Sequence, residues 1–112
     1  MKIVFTSTGP TWDSQIDPRF GRARYLVAYN EETHELISVD NDAVKDVEHG
    51  AGTATAQKVY EIKPDILITG IGPGNTAASI LKRMDMKIYI HAEGLSLKEA
   101  YEHMKHGQLE EW

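Results

Sequence analysis

The chain has 112 residues, of which 41% are hydrophobic and 26% are charged, a composition typical of a single globular domain over residues 1–112. Its formal net charge of −5 argues against binding to the phosphate backbone of nucleic acid. Because it contains no cysteine, disulfides are excluded, and so is thiolate ligation of a zinc ion or an iron–sulfur cluster. No apolar run is long enough to span a bilayer and no signal segment follows Met1, so we expect a cytoplasmic protein that does not bind membranes.

The first half of the chain is rich in strand patterns. Three strands are predicted, over residues 2–6, 24–29 and 35–39, separated by polar segments and followed by a polar, acidic loop over 41–49. The turn near Asn30 is short, which predicts that the second and third strands form an antiparallel hairpin.

Helices and strands alternate in the second half. The predicted elements, in chain order, are a helix over 53–62, a strand over 66–68, a helix over 76–84, a strand over 87–91 and a helix that begins after Ser96 and stops at Gly107. Ser96 and Glu99 match a capping box, in which each side chain accepts a hydrogen bond from the other residue's N–H group. The apolar stripe of that helix indicates core packing.

This order of elements predicts an α/β fold. An antiparallel meander followed by right-handed crossovers gives a three-layer, ribonuclease H-like arrangement, a five-stranded mixed sheet in the order 3-2-1-4-5 with helices on both faces. A wholly parallel, flavodoxin-like sheet is the alternative, which the short turn near Asn30 disfavours.

Three glycines at alternate positions, Gly70, Gly72 and Gly74, follow the apolar strand at 66–68. A strand that leads through a glycine turn into a helix is a motif that binds anions well, because free N–H groups and the positive end of the helix dipole face the turn. The same layout also serves as a purely structural connection, with Pro73 in an ordinary position for a first helical turn.

The predicted topology brings every glycine-rich segment to one edge of the sheet, which we call the upper edge, where the parallel strands end. Open α/β sheets bind their ligands at that edge. The predicted binding residues there are Arg19, Phe20, Gly21, Arg22, His49, Gly50, Gly52, Thr53, Gly70, Gly72, Gly74, Asn75 and His91.

Individual residues in this set suit different roles. Arg19 and Arg22 suit bidentate contact with a carboxylate or phosphate, although ion pairs with the acidic loop are an equal alternative. His49 precedes a helix start, where the dipole favours the neutral imidazole that can ligate a metal, and its alternative is an ordinary loop histidine. For His91 a hydrogen-bonded structural role is favoured over ligation, and Phe20 is expected to anchor its loop by packing.

Four segments, residues 17–23, 49–53, 68–75 and 91–94, resemble the dinitrogenase iron–molybdenum cofactor biosynthesis family, which includes NifX-type proteins and the C-terminal part of NifB-type proteins. The resemblance covers nearly the whole chain in the right order. It implies a ribonuclease H-like domain that carries or transfers a metallocluster, with a protein partner in the transfer. Cluster-binding relatives often have a histidine just before the Phe-Gly pair, where this chain has Arg19.

Two classes of function follow. The first is a non-catalytic binding or carrier protein for an anionic cofactor or small molecule, which the resemblance implies to be an iron–sulfur or iron–molybdenum type cluster. The alternative is a small enzyme that acts on a phosphorylated or carboxylated small molecule at the same edge. No nucleophile–base pair is evident in the sequence, so no catalytic residue is predicted and binding is favoured.

Overall fold

The computed structural model describes residues 1–41 and 50–112, and these form one mixed sheet with helices on both faces. The strands are β1 (Lys2–Ser7), β2 (Tyr25–Asn30), β3 (Glu35–Asp40), β4 (Ile66–Ile68), β5 (Lys87–Ile90) and β6 (Glu110–Glu111), and the helices are α1 (Ala51–Ile62), α2 (Asn75–Leu81) and α3 (Leu97–Lys105).

The strand order across the sheet is β3-β2-β1-β4-β5-β6. β1 is antiparallel to β2 and parallel to β4, so that Val4 lies opposite Ala28 on one side and Leu67 on the other. β4 and β5 are parallel, and β2 and β3 form the predicted antiparallel hairpin. The order 3-2-1-4-5 is therefore confirmed for the first five strands, and the wholly parallel alternative is wrong.

β6 was not expected, and the predicted number of five strands is one too few. Its two glutamates have no apolar alternation, which is the sequence signal for a strand. The strand forms because β5 offers a free edge: Glu111 lies opposite Tyr89, and the N–H of Trp112 donates to the carbonyl of Ile88 at 2.8 Å. Pairing of this kind depends on a partner about twenty residues away, so the local sequence does not reveal it.

The two faces of the sheet bury separate apolar clusters because successive strand side chains point to opposite faces. Val4 points toward α1 and α2, while Ile3 and Phe5 point toward α3. α1 contributes Ala56 and Val59 to the first cluster. The second is completed by residues of α3 and of the loop before β2, namely Leu97, Ala100 and Ile16.

The helices begin and end within three residues of the predicted positions. α1 begins two residues earlier than expected because Gly50, in the left-handed region with φ 83°, lets the chain turn directly into the helix. α2 ends at Leu81 rather than at Met84, and the chain then turns before β5. Within the described ranges, no helix combines the length and the apolar character needed to cross a membrane.

The loop between β1 and β2 is packed against the sheet and α3. Ile16 is only 2% exposed, and backbone N–H groups at the start of α3 donate to loop carbonyls, Leu97 to Ser14 at 2.9 Å and Lys98 to Trp12 at 3.1 Å. The indole of Trp12 contacts the rings of Phe5, Tyr29 and Tyr101. This loop is thus part of the layer that covers one face of the sheet.

The predicted capping box begins α3. Ser96 Oγ accepts a hydrogen bond from the Glu99 N–H at 3.1 Å, and Glu99 Oε1 accepts one from the Ser96 N–H at 2.9 Å. The pKa of Glu99 lies below its ordinary value of 4.5. The main cause is the hydrogen bond that its carboxylate accepts from the Ser96 backbone, and the second is its interaction with the Ser96 side chain.

Acid should therefore weaken the α3 cap. A carboxylate whose pKa is lowered by folding stabilises the fold above its ordinary pKa, and this contribution is lost as the pH falls through the lowered value. We expect Ser96→Ala to reduce the free energy of unfolding by about 1 kcal/mol at neutral pH. The variant should also lose somewhat less stability than wild type does below pH 4.5, because its Glu99 carboxylate keeps the bond from the Ser96 N–H but loses the lowering of its pKa by the Ser96 side chain.

Urea denaturation followed by circular dichroism at a series of pH values measures both effects. Ser79→Ala is the matched control, since Ser79 is an exposed helical serine whose hydroxyl donates to the carbonyl of Asn75 and caps nothing. Identical acid dependence in Ser96→Ala and wild type would contradict the assignment.

Candidate functional site

The loop of residues 18–22, called the Phe20 loop below, lies across the upper edge. Its residue Arg19 pairs with Ile71 in a parallel bridge, and the N–H of Ile71 donates to the carbonyl of Pro18 at 2.7 Å. Ile71 belongs to the turn of residues 69–75 after β4, called the Gly72 loop below. The Phe20 loop therefore extends the sheet beyond the end of β4.

Two glycines permit backbone-to-backbone contact around the Phe20 loop. A Cβ on Gly70 would lie 2.5 Å from the Cα of Pro18, and a Cβ on Gly21 would lie 3.0 Å from the Cα of Gly52. Real Cβ atoms do not approach backbone as closely as 2.5 Å, so a side chain at Gly70 would push the segments apart, and one at Gly21 would force the backbone of Gly52 to move by a few tenths of an ångström. The loop is thus held between the Gly72 loop on one side and the first turn of α1 on the other.

The segment after β5 also reaches this edge. The N–H of His91 donates to the carbonyl of Gly70 at 2.7 Å, and the N–H of Ala92 donates to that of Thr69 at 3.2 Å. The predicted segments around residues 18–22, 50–53, 70–75 and 91–94 therefore meet at one edge of the sheet. His49 lies outside the described residues.

A buried hydroxyl pair fixes the base of the Phe20 loop. Thr6 Oγ1 and Thr69 Oγ1, at the ends of β1 and β4, lie 2.8 Å apart, and Thr6 Oγ1 also donates to the carbonyl of Asp17 at 3.2 Å. The carboxylate of Asp17 accepts from the N–H of Arg19 at 3.0 Å. These bonds position Arg19 from beneath while leaving its side chain exposed.

Asn41 fixes the far end of the same loop, and sequence reasoning missed it. Its Nδ2 group donates to the carbonyl of Ala23 at 2.8 Å and to Thr55 Oγ1 at 3.0 Å, and its Oδ1 accepts from Lys58 Nζ at 2.6 Å. Thr55 Oγ1 in turn donates to the carbonyl of Gly21 at 3.2 Å. The sequence predicts a polar loop at Asn41, and its burial depends on Ala23 and Thr55, which are distant in the chain.

Phe20 is 3% exposed and belongs to the core cluster beneath α1 and α2. Its ring faces the core, so it anchors the loop by packing, as expected. The side chains left at the surface of this edge are different ones. Arg19 and Asn75 are exposed, Arg22 and Thr53 are half-buried, and Ile71 is 59% exposed.

The starts of α1 and α2 lie side by side at the upper edge. A Cβ on Gly52 would be 3.6 Å from the Cβ of Ala77, so the first turns of the two helices touch. Gly50 and Gly74 precede them, neither helix has a side-chain cap, and neither first turn contains an acidic residue. Their first N–H groups have no intrahelical acceptor and carry the positive end of the helix dipole.

His91 lies at the β5–β6 side of the edge, in an acidic setting. It adopts the left-handed φ of 63° and is 55% exposed. Its Nδ1 lies 3.7 Å from a carboxylate oxygen of Glu93, and its Nε2 lies 3.4 Å from one of Glu110. This setting fits the structural role favoured from the sequence. In the described part of the chain, no three His, Asp or Glu side chains are grouped to hold a metal ion.

Replacing Gly70 should disrupt this edge. We expect Gly70→Ala to lower the free energy of unfolding by about 2–3 kcal/mol, because the new methyl group meets the backbone of Pro18. Gly74→Ala is the matched control: nothing lies within 4 Å of its Cβ position and its φ of −70° suits alanine. The control should lose about 1 kcal/mol at most, the cost of alanine at a helix N-cap.

Urea unfolding of both variants measures the difference. Equal losses would show that the close contact between Gly70 and Pro18 does not constrain the fold.

Solved structures similar to this chain share both its fold and its length. The apo form of the orange protein from Desulfovibrio gigas is 33% identical, with a TM-score of 0.91 over 99% of this chain and 92% of the other. A candidate NifB protein from Thermotoga, assigned to the DUF35 family, is 28% identical, with a TM-score of 0.81 over 98% of this chain and 91% of the other. PH0822, at 18% identity and a TM-score of 0.74 over 100% of this chain and 96% of its own, shares the fold.

Among curated proteins, none matches the chain. The family model described as dinitrogenase iron-molybdenum cofactor matches residues 1–107. This match spans β1 to α3 and includes every segment of the upper edge. The chain therefore belongs to the dinitrogenase iron-molybdenum cofactor family.

Proposed function

We propose that this protein is a non-catalytic carrier that binds an anionic metallocluster of the iron–sulfur or iron–molybdenum type at the upper edge. The observation that carries the proposal is the family match over residues 1–107, whose description names that cofactor. The geometry supports it, because exposed Arg19 and two uncapped helix starts supply positive potential to one surface of an otherwise acidic chain.

The available groups suit a cluster held as an intact anion. The chain has no cysteine, so no thiolate of its own can replace a ligand of the cluster. Guanidinium and backbone N–H groups donate hydrogen bonds to anionic oxygen or sulfur, and the exposed Ile71 offers an apolar contact to a large, weakly hydrated surface. In this proposal the protein holds its cargo by hydrogen bonds, apolar contact and one histidine bond to a metal, and releases it without breaking a metal–thiolate bond.

His49 is proposed as the one direct metal ligand. It precedes Gly50, which begins the uncapped helix α1, and a positive helix start disfavours protonation of a nearby imidazole. The proposed contacts of the cargo are Arg19, Arg22, His49, Gly50, Gly52, Thr53, Gly74 and Asn75, with Gly21, Gly70, Gly72, Phe20 and His91 shaping the edge around them.

The two buried hydroxyl groups beneath this edge favour binding over catalysis. Thr6 and Thr69 are fully buried and hydrogen-bonded to each other and to a backbone carbonyl, not to a base that could activate them. A small enzyme for phosphorylated or carboxylated molecules is the alternative that the experiments below would reveal. The ribonuclease H-like classification, the single domain, the cytoplasmic location and a protein partner in cluster transfer stay predictions of the same proposal.

Anaerobic purification followed by metal analysis and absorption spectroscopy tests the proposal. We expect iron and sulfide, with or without molybdenum, and visible absorption that disappears when the protein is denatured. Protein that remains colourless and free of iron, both as purified and after incubation with ferrous iron and sulfide, would contradict the carrier function. Turnover of a phosphorylated small molecule by that colourless protein would favour the enzyme.

Variants at the proposed contacts should separate binding from stability. His49→Ala and Arg19→Ala should each weaken binding of the reconstituted cluster by tenfold or more, about 1.4 kcal/mol, with little change in the melting temperature. Arg19→Lys should recover only part of the loss, because an ammonium group cannot make a bidentate contact.

The matched controls lie away from the upper edge. His106 follows α3 and is exposed, and Arg83 follows α2 and is exposed, so His106→Ala and Arg83→Ala should bind as wild type does. Affinities of His49→Ala and Arg19→Ala equal to those of the controls would show that neither side chain contacts the cargo.

A further inference from the structure

The side chain of Trp112 lies against the Gly72 loop. A Cβ on Gly72 would be 3.1 Å from both Cδ1 and Nε1 of the indole, and 3.5 Å from Cγ2 of Ile90. An alanine at position 72 would therefore contact the indole more tightly than ordinary packing allows, and the ring or the loop would have to move by a few tenths of an ångström. Trp112 is 40% exposed, so most of its surface is covered by these contacts and their neighbours.

Two further contacts hold Trp112, one through its backbone N–H and one through its ring. The N–H of Trp112 donates to the carbonyl of Ile88 at 2.8 Å, which continues the pairing of β6 with β5. The ammonium group of Lys82, directly after α2, lies 5.8 Å from the centre of the ring, within the range of a cation–π contact. The ring thus connects β5, the end of α2 and the Gly72 loop.

The backbone of Gly72 does not itself require glycine, because its φ lies outside the left-handed region. The requirement comes from the neighbouring indole. This differs from Gly70, where the backbone of Pro18 makes the close contact, and from Gly74, where the space is open.

We infer that Trp112 is a positioning residue for the upper edge: its indole braces the Gly72 loop in the conformation that presents Ile71 and the start of α2 to the cargo. The inference rests on the proposed function for the identity of the cargo. The brace itself is a contact of the protein alone, so it can be tested with and without a ligand.

The test without ligand is a double-mutant cycle between Gly72→Ala and Trp112→Leu. Gly72→Ala should overpack the contact and lower the melting temperature by roughly 4 °C or more. In the Trp112→Leu background the same change should cost little, because the indole is gone. Gly74→Ala is the matched control and should cost the same in both backgrounds, since nothing lies within 4 Å of its Cβ position.

The test with ligand uses the cluster reconstituted from ferrous iron and sulfide, with iron content and visible absorption as readouts. Trp112→Leu should weaken its binding tenfold or more, and Trp112→Phe, which keeps a flat ring beside Gly72, should recover most of the affinity. His106→Ala is the control, since it lies outside the edge.

The outcomes separate this inference from the proposed function. If wild type and Trp112→Leu bind the cluster equally well, the positioning role is wrong and the carrier function stands. If wild type binds no cluster, the carrier function fails, and the double-mutant cycle alone tests the contact between Trp112 and the Gly72 loop. Additive effects of Gly72→Ala and Trp112→Leu on the melting temperature would then show that the indole does not brace the loop. Strong coupling together with weakened binding that phenylalanine restores is the result expected.

Discussion

The close backbone contact on both sides of the Phe20 loop is the constraint on which the upper edge depends. Gly70 meets Pro18 and Gly21 meets Gly52 at distances that leave no room for a side chain. Because these four residues belong to segments that follow β1, β3 and β4, the contact joins loops that would otherwise be separate. The absence of side chains at Gly21, Gly52 and Gly70 thus creates one continuous surface, and any ligand bound there contacts residues that are far apart in the chain.

Buried polar groups hold this surface in place, and their own hydrogen-bonding groups all have partners. Thr6 and Thr69 satisfy each other below the start of the Phe20 loop, while Asn41 and Thr55 satisfy the carbonyls at its far end. None of the buried side-chain polar atoms in the described ranges lacks a partner. A loop held at both ends loses little conformational entropy when it binds, which favours affinity. Arg19 is therefore presented by a fixed backbone although its own side chain is free to adapt.

The sequence predicted the structure correctly wherever the pattern that specifies an element lies within that element. Apolar strand runs and the short turn at Asn30 predicted the order of five strands, and Ser96 with Glu99 predicted the α3 cap. The convergence of the glycine segments followed from the topology alone. Long-range pairing was missed: β6 depends on the free edge of β5, and Asn41 depends on a threonine fourteen residues later that lies on α1. Such contacts depend on the tertiary structure, so a local pattern of one or two residues does not predict them.

The glycines of the upper edge have different structural roles, and the difference indicates where a ligand fits. Gly70 and Gly21 serve the contact between backbones, and Gly72 serves the indole of Trp112. Gly50, Gly74 and Gly94 have open space at their Cβ positions, and the first two each precede an uncapped helix start. Because the first turns of those helices touch, Gly50 and Gly74 flank one area of the upper edge. An anion bound there would meet two sets of free N–H groups at once, whereas a ligand placed over Gly72 would have to displace the indole first.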